Sequence, residues 1–283
     1  MRRSREAPVV EEPSGGRVPL AGSRLVARRG LVVGEAFGGG VASVLVAPAV
    51  TAEGEDVVLK VQEPHRESEH EADALRVWEG DGAVRLLDEE PEECALLLER
   101  CVPGTPLSAA GADTALDVLV ELLPRLWKPA GSPFRPLAAE AAWWADSLED
   151  TWERFGRPFE RKLLDAALEA LQELPRTQGS QVLLHQDLHG DNVLAAQREP
   201  WLAIDPKPLA GEREFGIAPI VRSRELGHSR QDVLGRFDRL VSELSLDRDR
   251  ARGWTIGQTI AWAFDGEHRR THADVARWLV EAS

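Results

Sequence analysis

The stretch LLHQDLHGDNVL, residues 183–194, restricts the possible folds more than any other part of the chain. Leu183-Leu184 and Val193-Leu194 are aliphatic pairs, yet the residues between them are dominated by His, Asp, Gln and Asn. A core strand does not carry that many polar side chains, because each one buried needs a partner. A plain surface loop has no use for aliphatic anchors on both sides. The pattern predicts a polar loop pinned by two short strands, Val182–Leu184 and Val193–Ala195. A third strand, Trp201–Ile204, would deliver Asp205 beside it. A loop Asp can accept the proton of a hydroxyl as that hydroxyl attacks. An Asn five positions on can offer an amide oxygen to Mg²⁺, a hard cation, and a second carboxylate is then needed for the metal. Asp187, Asn192 and Asp205 fill those places. His185 is expected to support the loop.

The rest of the chain falls into two kinds of sequence. Residues 1–20, charged and rich in Pro and Gly, read as a flexible arm. From Arg28 to Val61 the pattern is strand-like. HRESEHEADALRVWEG is a helix closed by Gly80, and VRLLDEEPEECALLLERC gives two strands around an acidic turn. VPGTPL then breaks the pattern and suggests a hinge. DTALDVLVELLPRLW, EAAWWADSLEDTWERF and FERKLLDAALEALQEL have helical apolar spacing, EPWLAIDPKPLAGE is strand, turn and loop, and the chain beyond about Glu214 is mostly helical. The expectation is an α+β protein with two lobes. Residues 21–102 form a small β-rich lobe with one helix, and residues 103–283 form a larger α-helical lobe.

Charge and cysteine content exclude several classes. Net charge is −14, which disfavours a nucleic-acid partner and favours cationic small molecules. The two cysteines, Cys94 and Cys101, fit neither a disulfide framework nor a metal cluster, so a reducing cytoplasm is expected. Arg2, Arg3 and Arg5 are followed by no apolar run, which argues against a secretion signal. No stretch approaches the ~18 apolar residues of a membrane span.

HQDLHGDN followed by IDPK resembles the catalytic loop and metal-binding Asp motif of the protein-kinase-like superfamily. A second His, where protein kinases place Lys, and the upstream ALLLERCVPGTPL make the chain similar to the aminoglycoside phosphotransferase family. The likeness is greatest to its streptomycin 6-kinase branch, grouped with hydroxyurea-resistance kinases. The resemblance implies a kinase-like two-lobed fold and ATP- and Mg²⁺-dependent phosphorylation of a hydroxyl, with Asp187 as base and Asn192 and Asp205 on the metal. It also implies a strand Lys holding the α/β-phosphates, which in DVVLKV is Lys60. Its partner should be a Glu on the next helix. Glu67, Glu69 and Glu71 compete, and Glu71 shares the inward face with Ala74, Leu75 and Trp78. FGGGVASV resembles a nucleotide-covering turn through Gly38, Gly39 and Gly40, although Ser43 stands at the third Gly place. Backbone groups of Glu99 and Cys101 would read the adenine edge.

Protein kinases carry a long activation segment and an A-P-E motif after the metal Asp. Here IDPKPLAGEREFGIAPIVRSREL becomes helical within about a dozen residues, and IAP is a poor substitute, so the acceptor is expected to be a small molecule. A cationic aminoglycoside such as streptomycin would bind between the catalytic loop and the helices, on carboxylates drawn from Glu212, Glu214, Asp265 and Glu267. Lys207, close after Asp205, is a candidate phosphate contact. The alternatives are the same fold acting on hydroxyurea, a macrolide or an amino-alcohol metabolite. A nucleotide-binding module without turnover is a further alternative, disfavoured because a pure binder has no need of the base.

Overall fold

The computed structural model describes residues 22–37, 43–264 and 269–282. The expected arm, residues 1–20, lies outside the described residues. The chain divides into two compact units. One holds the residues up to Pro64 with Leu87–Arg100; the other holds His65–Leu86 and everything from Cys101 onward.

The first unit is built on a five-stranded sheet. Its strands are β1 (Val32–Val33), β2 (Ser43–Val50), β3 (Asp56–Gln62), β4 (Leu86–Glu90) and β5 (Ala95–Glu99), in the order β1-β2-β3-β5-β4. β3 is therefore central, antiparallel to β2 with Val46 opposite Lys60, and antiparallel to β5 with Lys60 opposite Leu96. Val57, Leu59 and Val61 alternate along β3 and are fully buried with Leu25, Leu31, Ala95 and Leu97. One helix here was not expected: α1, Ser23–Arg29, covers a stretch whose end had read as strand. It buries Leu25 in the core and ends on Gly30 at φ 58°, a left-handed conformation suited to glycine. Its start is capped from a distance, since Glu93 accepts from the backbone N–H groups of Gly22 at 3.0 Å and Arg24 at 2.9 Å. A carboxylate there satisfies orphan donors and complements the helix dipole. No local cap residue announces such a helix.

In the second unit, α2 spans Glu71–Trp78, six residues shorter at its start than expected. Trp78 is buried, and its indole N–H donates to Leu126 O at 2.8 Å. Val84 N–H donates to Ala203 O at 3.0 Å, and Arg198 reaches Gly80 O and Ala83 O at 2.7 and 3.0 Å. These bonds attach residues 65–86 to this unit, whereas the sequence reading had grouped them with the strands. The apolar spacing of the remaining chain forms α3 (Ala112–Leu126), α4 (Leu137–Arg154), α5 (Arg161–Glu173), α6 (Ala218–Arg222), α7 (Arg230–Glu243), α8 (Arg248–Ala261) and α9 (Arg269–Glu281). α8 is the central post, buried at Ala251 and continuously from Trp254 to Ile260. Gly257 lets α5 approach it: a Cβ there would stand 3.0 Å from the Leu171 side chain. Short strands carry the polar loop. β6 (Arg135–Pro136), β7 (Val182–Leu184) and β10 (Leu209–Gly211) form one sheet in the order β6-β10-β7, and β8 (Val193–Ala195) pairs with β9 (Trp201–Ala203). β10 had read as loop, since three residues give no usable period. No helix among the described residues is long and apolar enough to cross a membrane. Neither cysteine is in a disulfide, and both are half-buried.

Candidate active site

The loop between β7 and β8 is anchored on the segment that follows β9. Ile204 N–H donates to Asn192 O at 3.0 Å, and Lys207 N–H donates to His185 O at 2.9 Å. His185 Nε2 lies 2.9 Å from Ile204 O, and its ring stacks on Trp78 with centroids 6.0 Å apart. Burial pushes His185 down to about 4, so the ring is neutral and its Nε2–H is the donor. It supports the loop, as expected. Asp205, just past β9, takes a left-handed φ of 54°. The Ile204–Asn192 bond sets it next to the loop. Asn192 donates through its side-chain amide to Asp187 O at 2.8 Å, which leaves its Oδ1 as the atom it can offer a cation.

Asp187 is buried, 9% exposed, and carries two cations. Lys207 Nζ meets Oδ2 at 2.6 Å, and Arg222 meets Oδ1 at 3.2 Å from the end of α6. Burial alone would push the carboxyl up. Lys207 and Arg222 outweigh it and hold Asp187 at about 2, ionised at any physiological pH. Both cations lie over the ring of Trp262, at 5.2 Å for Lys207 Nζ and 4.2 Å for the Arg222 guanidinium carbon. The site also holds His189, whose Nδ1 lies 3.1 Å from Glu225 Oε1. The same Glu225 oxygen accepts from Gly190 N–H at 3.0 Å and from Ser223 Oγ. Burial would raise the Glu225 carboxyl, but the bonds from His189 and Ser223 pull it down to about 2. Glu225 and Asp187 in turn raise His189 against its burial.

The remaining expected residues divide. Lys60 is buried mid-strand in β3, and Glu71 is buried as the first residue of α2, not beyond its first turn. Glu67, in the turn before that helix, stands 3.9 Å from Lys207 Nζ. Glu99 ends β5 opposite Val57, and Glu99 and Cys101 are both half-buried. Gly38, Gly39, Gly40, Asp265 and Glu267 lie outside the described residues.

Glu212 needs correction as an acceptor carboxylate. Glu212 is 2% exposed and spent inside the fold. Arg250 clasps it, with Nη2 at 2.6 Å from Oε1 and Nε at 2.9 Å from Oε2; Trp254 Nε1 and Gly179 N also donate to it. Glu214 is buried in the helical turn Arg213–Ile217, with Arg213 Nε at 3.5 Å. The residues missed are Arg222, Glu225, Gln258 and Trp262. The available signal for the first was an Arg inside the apolar run IAPIVR, which must find a counter-charge once buried.

With an ionised, buried carboxylate beside an amide oxygen and a second carboxylate, the loop can accept a proton and hold a hard cation. Comparison with known proteins shows the family and the fold. Residues 29–266 match the family described as Aminoglycoside/hydroxyurea antibiotic resistance kinase. A streptomycin 6-kinase of Streptomyces glaucescens is 40% identical over 250 residues, covering 86% of this chain and 81% of that protein. A hydroxyurea phosphotransferase of Kitasatospora aureofaciens is 41% identical over 240 residues, covering 82% and 69%. Among solved structures, a thermostable mutant of aminoglycoside phosphotransferase APH(4)-Ia in ternary complex with AMP-PNP and hygromycin B superposes with TM-score 0.65. It is 16% identical and covers 92% of this chain and 98% of that one, so the kinase-like fold is shared.

Proposed function

Because the chain belongs to the aminoglycoside/hydroxyurea antibiotic resistance kinase family, we propose that it transfers the γ-phosphoryl group of ATP to a hydroxyl of a small cationic acceptor, streptomycin first. The observation that carries this reading is the Asp187 carboxylate, buried, ionised and bonded through its own backbone carbonyl to Asn192. Asp187 orients the acceptor hydroxyl and takes its proton as the oxygen attacks phosphorus. The bond from the γ-phosphorus to the β,γ-bridging oxygen breaks, and ADP leaves with that oxygen. Asn192 Oδ1 and Asp205 are oxygen donors of the kind Mg²⁺ prefers, and would hold the ion. Bound there, Mg²⁺ supplies neutralisation of phosphate charge. Lys60, on the central strand, holds the α/β-phosphates, and backbone groups at Glu99 and Cys101 read the adenine. Little covalent chemistry falls to the protein; it positions the groups and neutralises charge.

Streptomycin is supported by the named activity of the Streptomyces glaucescens relative and by the net charge of −14, since guanidinium groups pair well with carboxylates. Hydroxyurea is the second reading, supported by the Kitasatospora aureofaciens relative. The test is ATP consumption by purified protein with each acceptor, the phosphate position being read by NMR. Consumption with neither compound would remove both acceptors.

The metal assignment makes its own prediction. Asp205→Ala is expected to abolish Mg²⁺-dependent nucleotide binding, and Asn192→Ala to weaken it less, because a neutral amide attracts a cation less than a carboxylate does. Titration calorimetry with Mg-ATP decides. If Asn192→Ala proves the more damaging, Asp205 is not the principal ligand.

A further inference from the structure

Gln186, the residue before Asp187, has φ 65°. That left-handed conformation is unfavourable for a non-glycine residue and persists only where the surroundings impose it. Its carbonyl is held from α8: Gln258 Nε2 donates to Gln186 O at 3.1 Å. The other atom of the same amide is committed as well, since Gln258 Oε1 accepts from Arg222 Nη1 at 3.0 Å. Arg222 closes the ring by donating through Nη2 to Asp187 Oδ1 at 3.2 Å. One side chain thus grips the backbone just before Asp187 and, through Arg222, the carboxylate of Asp187 itself. All of these groups are buried: Gln258 is fully inaccessible, Gln186 is 1% exposed and Arg222 is 8% exposed. The planar guanidinium lies against Trp262, one turn beyond Gln258 at the end of α8.

We infer that Arg222 and Gln258 are positioning residues that fix the rotamer and backbone of Asp187, committing Oδ1 to Arg222 and presenting Oδ2 to the acceptor hydroxyl. This rests on the proposed role of Asp187 as base. Lys207 reaches Oδ2 from the half-buried side and is the group an incoming hydroxyl would displace there. The bracket belongs to the helical part of the chain, 35 and 71 residues beyond Asp187, so it couples the packing of α6 and α8 to the reacting oxygen.

The test is a double-mutant cycle on the full chain, with each variant first checked for native circular dichroism and cooperative unfolding. Arg222→Met is expected to lower kcat on the order of 10²-fold with KM for ATP unchanged, the loss that follows from misplacing a reacting group by about an ångström. Gln258→Glu, which keeps an oxygen for Arg222 but removes the donor to Gln186, is expected to lower kcat less. In the background of Asp187→Asn, Arg222→Met should cost nothing more, because it acts through the carboxylate. In Arg222→Ala, guanidinium added at concentrations too low to unfold the protein should restore part of the lost kcat, which a merely structural role would not show. An unchanged kcat in folded Arg222→Met overturns the inference, as does a loss that adds fully to that of Asp187→Asn. If instead Asp187→Asn alone leaves turnover intact, it is the base assignment that fails.

Discussion

Asp187→Asn is expected to retain a folded protein that binds nucleotide but to turn over about 10²–10⁴ more slowly, the usual contribution of a positioned general base. The substitution is nearly isosteric, and the amide oxygen can still accept from Arg222, which sits 3.2 Å from Oδ1. Lys207 loses its carboxylate at 2.6 Å but keeps Glu67 at 3.9 Å. The fold should therefore survive while the proton acceptor is gone. Single-turnover kinetics with saturating nucleotide measure the loss, and near-normal turnover in a folded variant would remove Asp187 from the chemistry. Stability carries a second signature. The ordinary value of this carboxyl is 3.8, and Lys207 and Arg222, acting against burial, depress it to about 2. The ionised form therefore stabilises the fold above the unfolded value, and that contribution is lost as pH falls through the folded one. The stability difference between wild type and Asp187→Asn should grow as pH falls through the range where His189, raised by Asp187, takes its proton, and should shrink in acid below the ordinary value of the carboxyl.

Glu212→Ala is expected to cost about 1–3 kcal/mol of stability, because it leaves the indole N–H of buried Trp254 without its acceptor, while half-buried Arg250 can turn to water. Arg250 ties Glu212 at the end of β10 to Leu174 O and Thr177 Oγ1 beyond α5, at 3.0 and 2.9 Å, and Trp254 donates to the same carboxylate from α8. Removing the hub loosens all three attachments. Urea unfolding measures the loss. KM for the acceptor should stay unchanged in whatever fraction folds, since a group 2% exposed offers no surface to a substrate. A raised acceptor KM with normal stability would return Glu212 to the binding site.

The strand–loop–strand around Asp187 was legible from its residue types. Aliphatic pairs at 183–184 and 193–194 demand burial, the polar residues between them demand partners, and Asp187, Asn192 and Asp205 stand at separations a short strand–loop–strand can close. The helices after residue 112 were legible too, because an amphipathic face repeats over several turns and each repeat adds to the signal. α1 was not, because its cap is Glu93, some seventy residues away. Nor was the true role of Glu212: a carboxylate in a loop reads the same whether it faces water or an arginine 38 residues further along. Net acidity made every carboxylate a candidate for a cationic acceptor, and burial alone separates those the fold has already used. The bracket around Asp187 lies furthest from what sequence shows. Arg222, Gln258 and Trp262 come from α6 and α8, elements that meet only when the helices pack. Local chemistry and periodicity are written along the chain. The pairing of charges is decided by distance in space, once burial removes the water that would otherwise screen them.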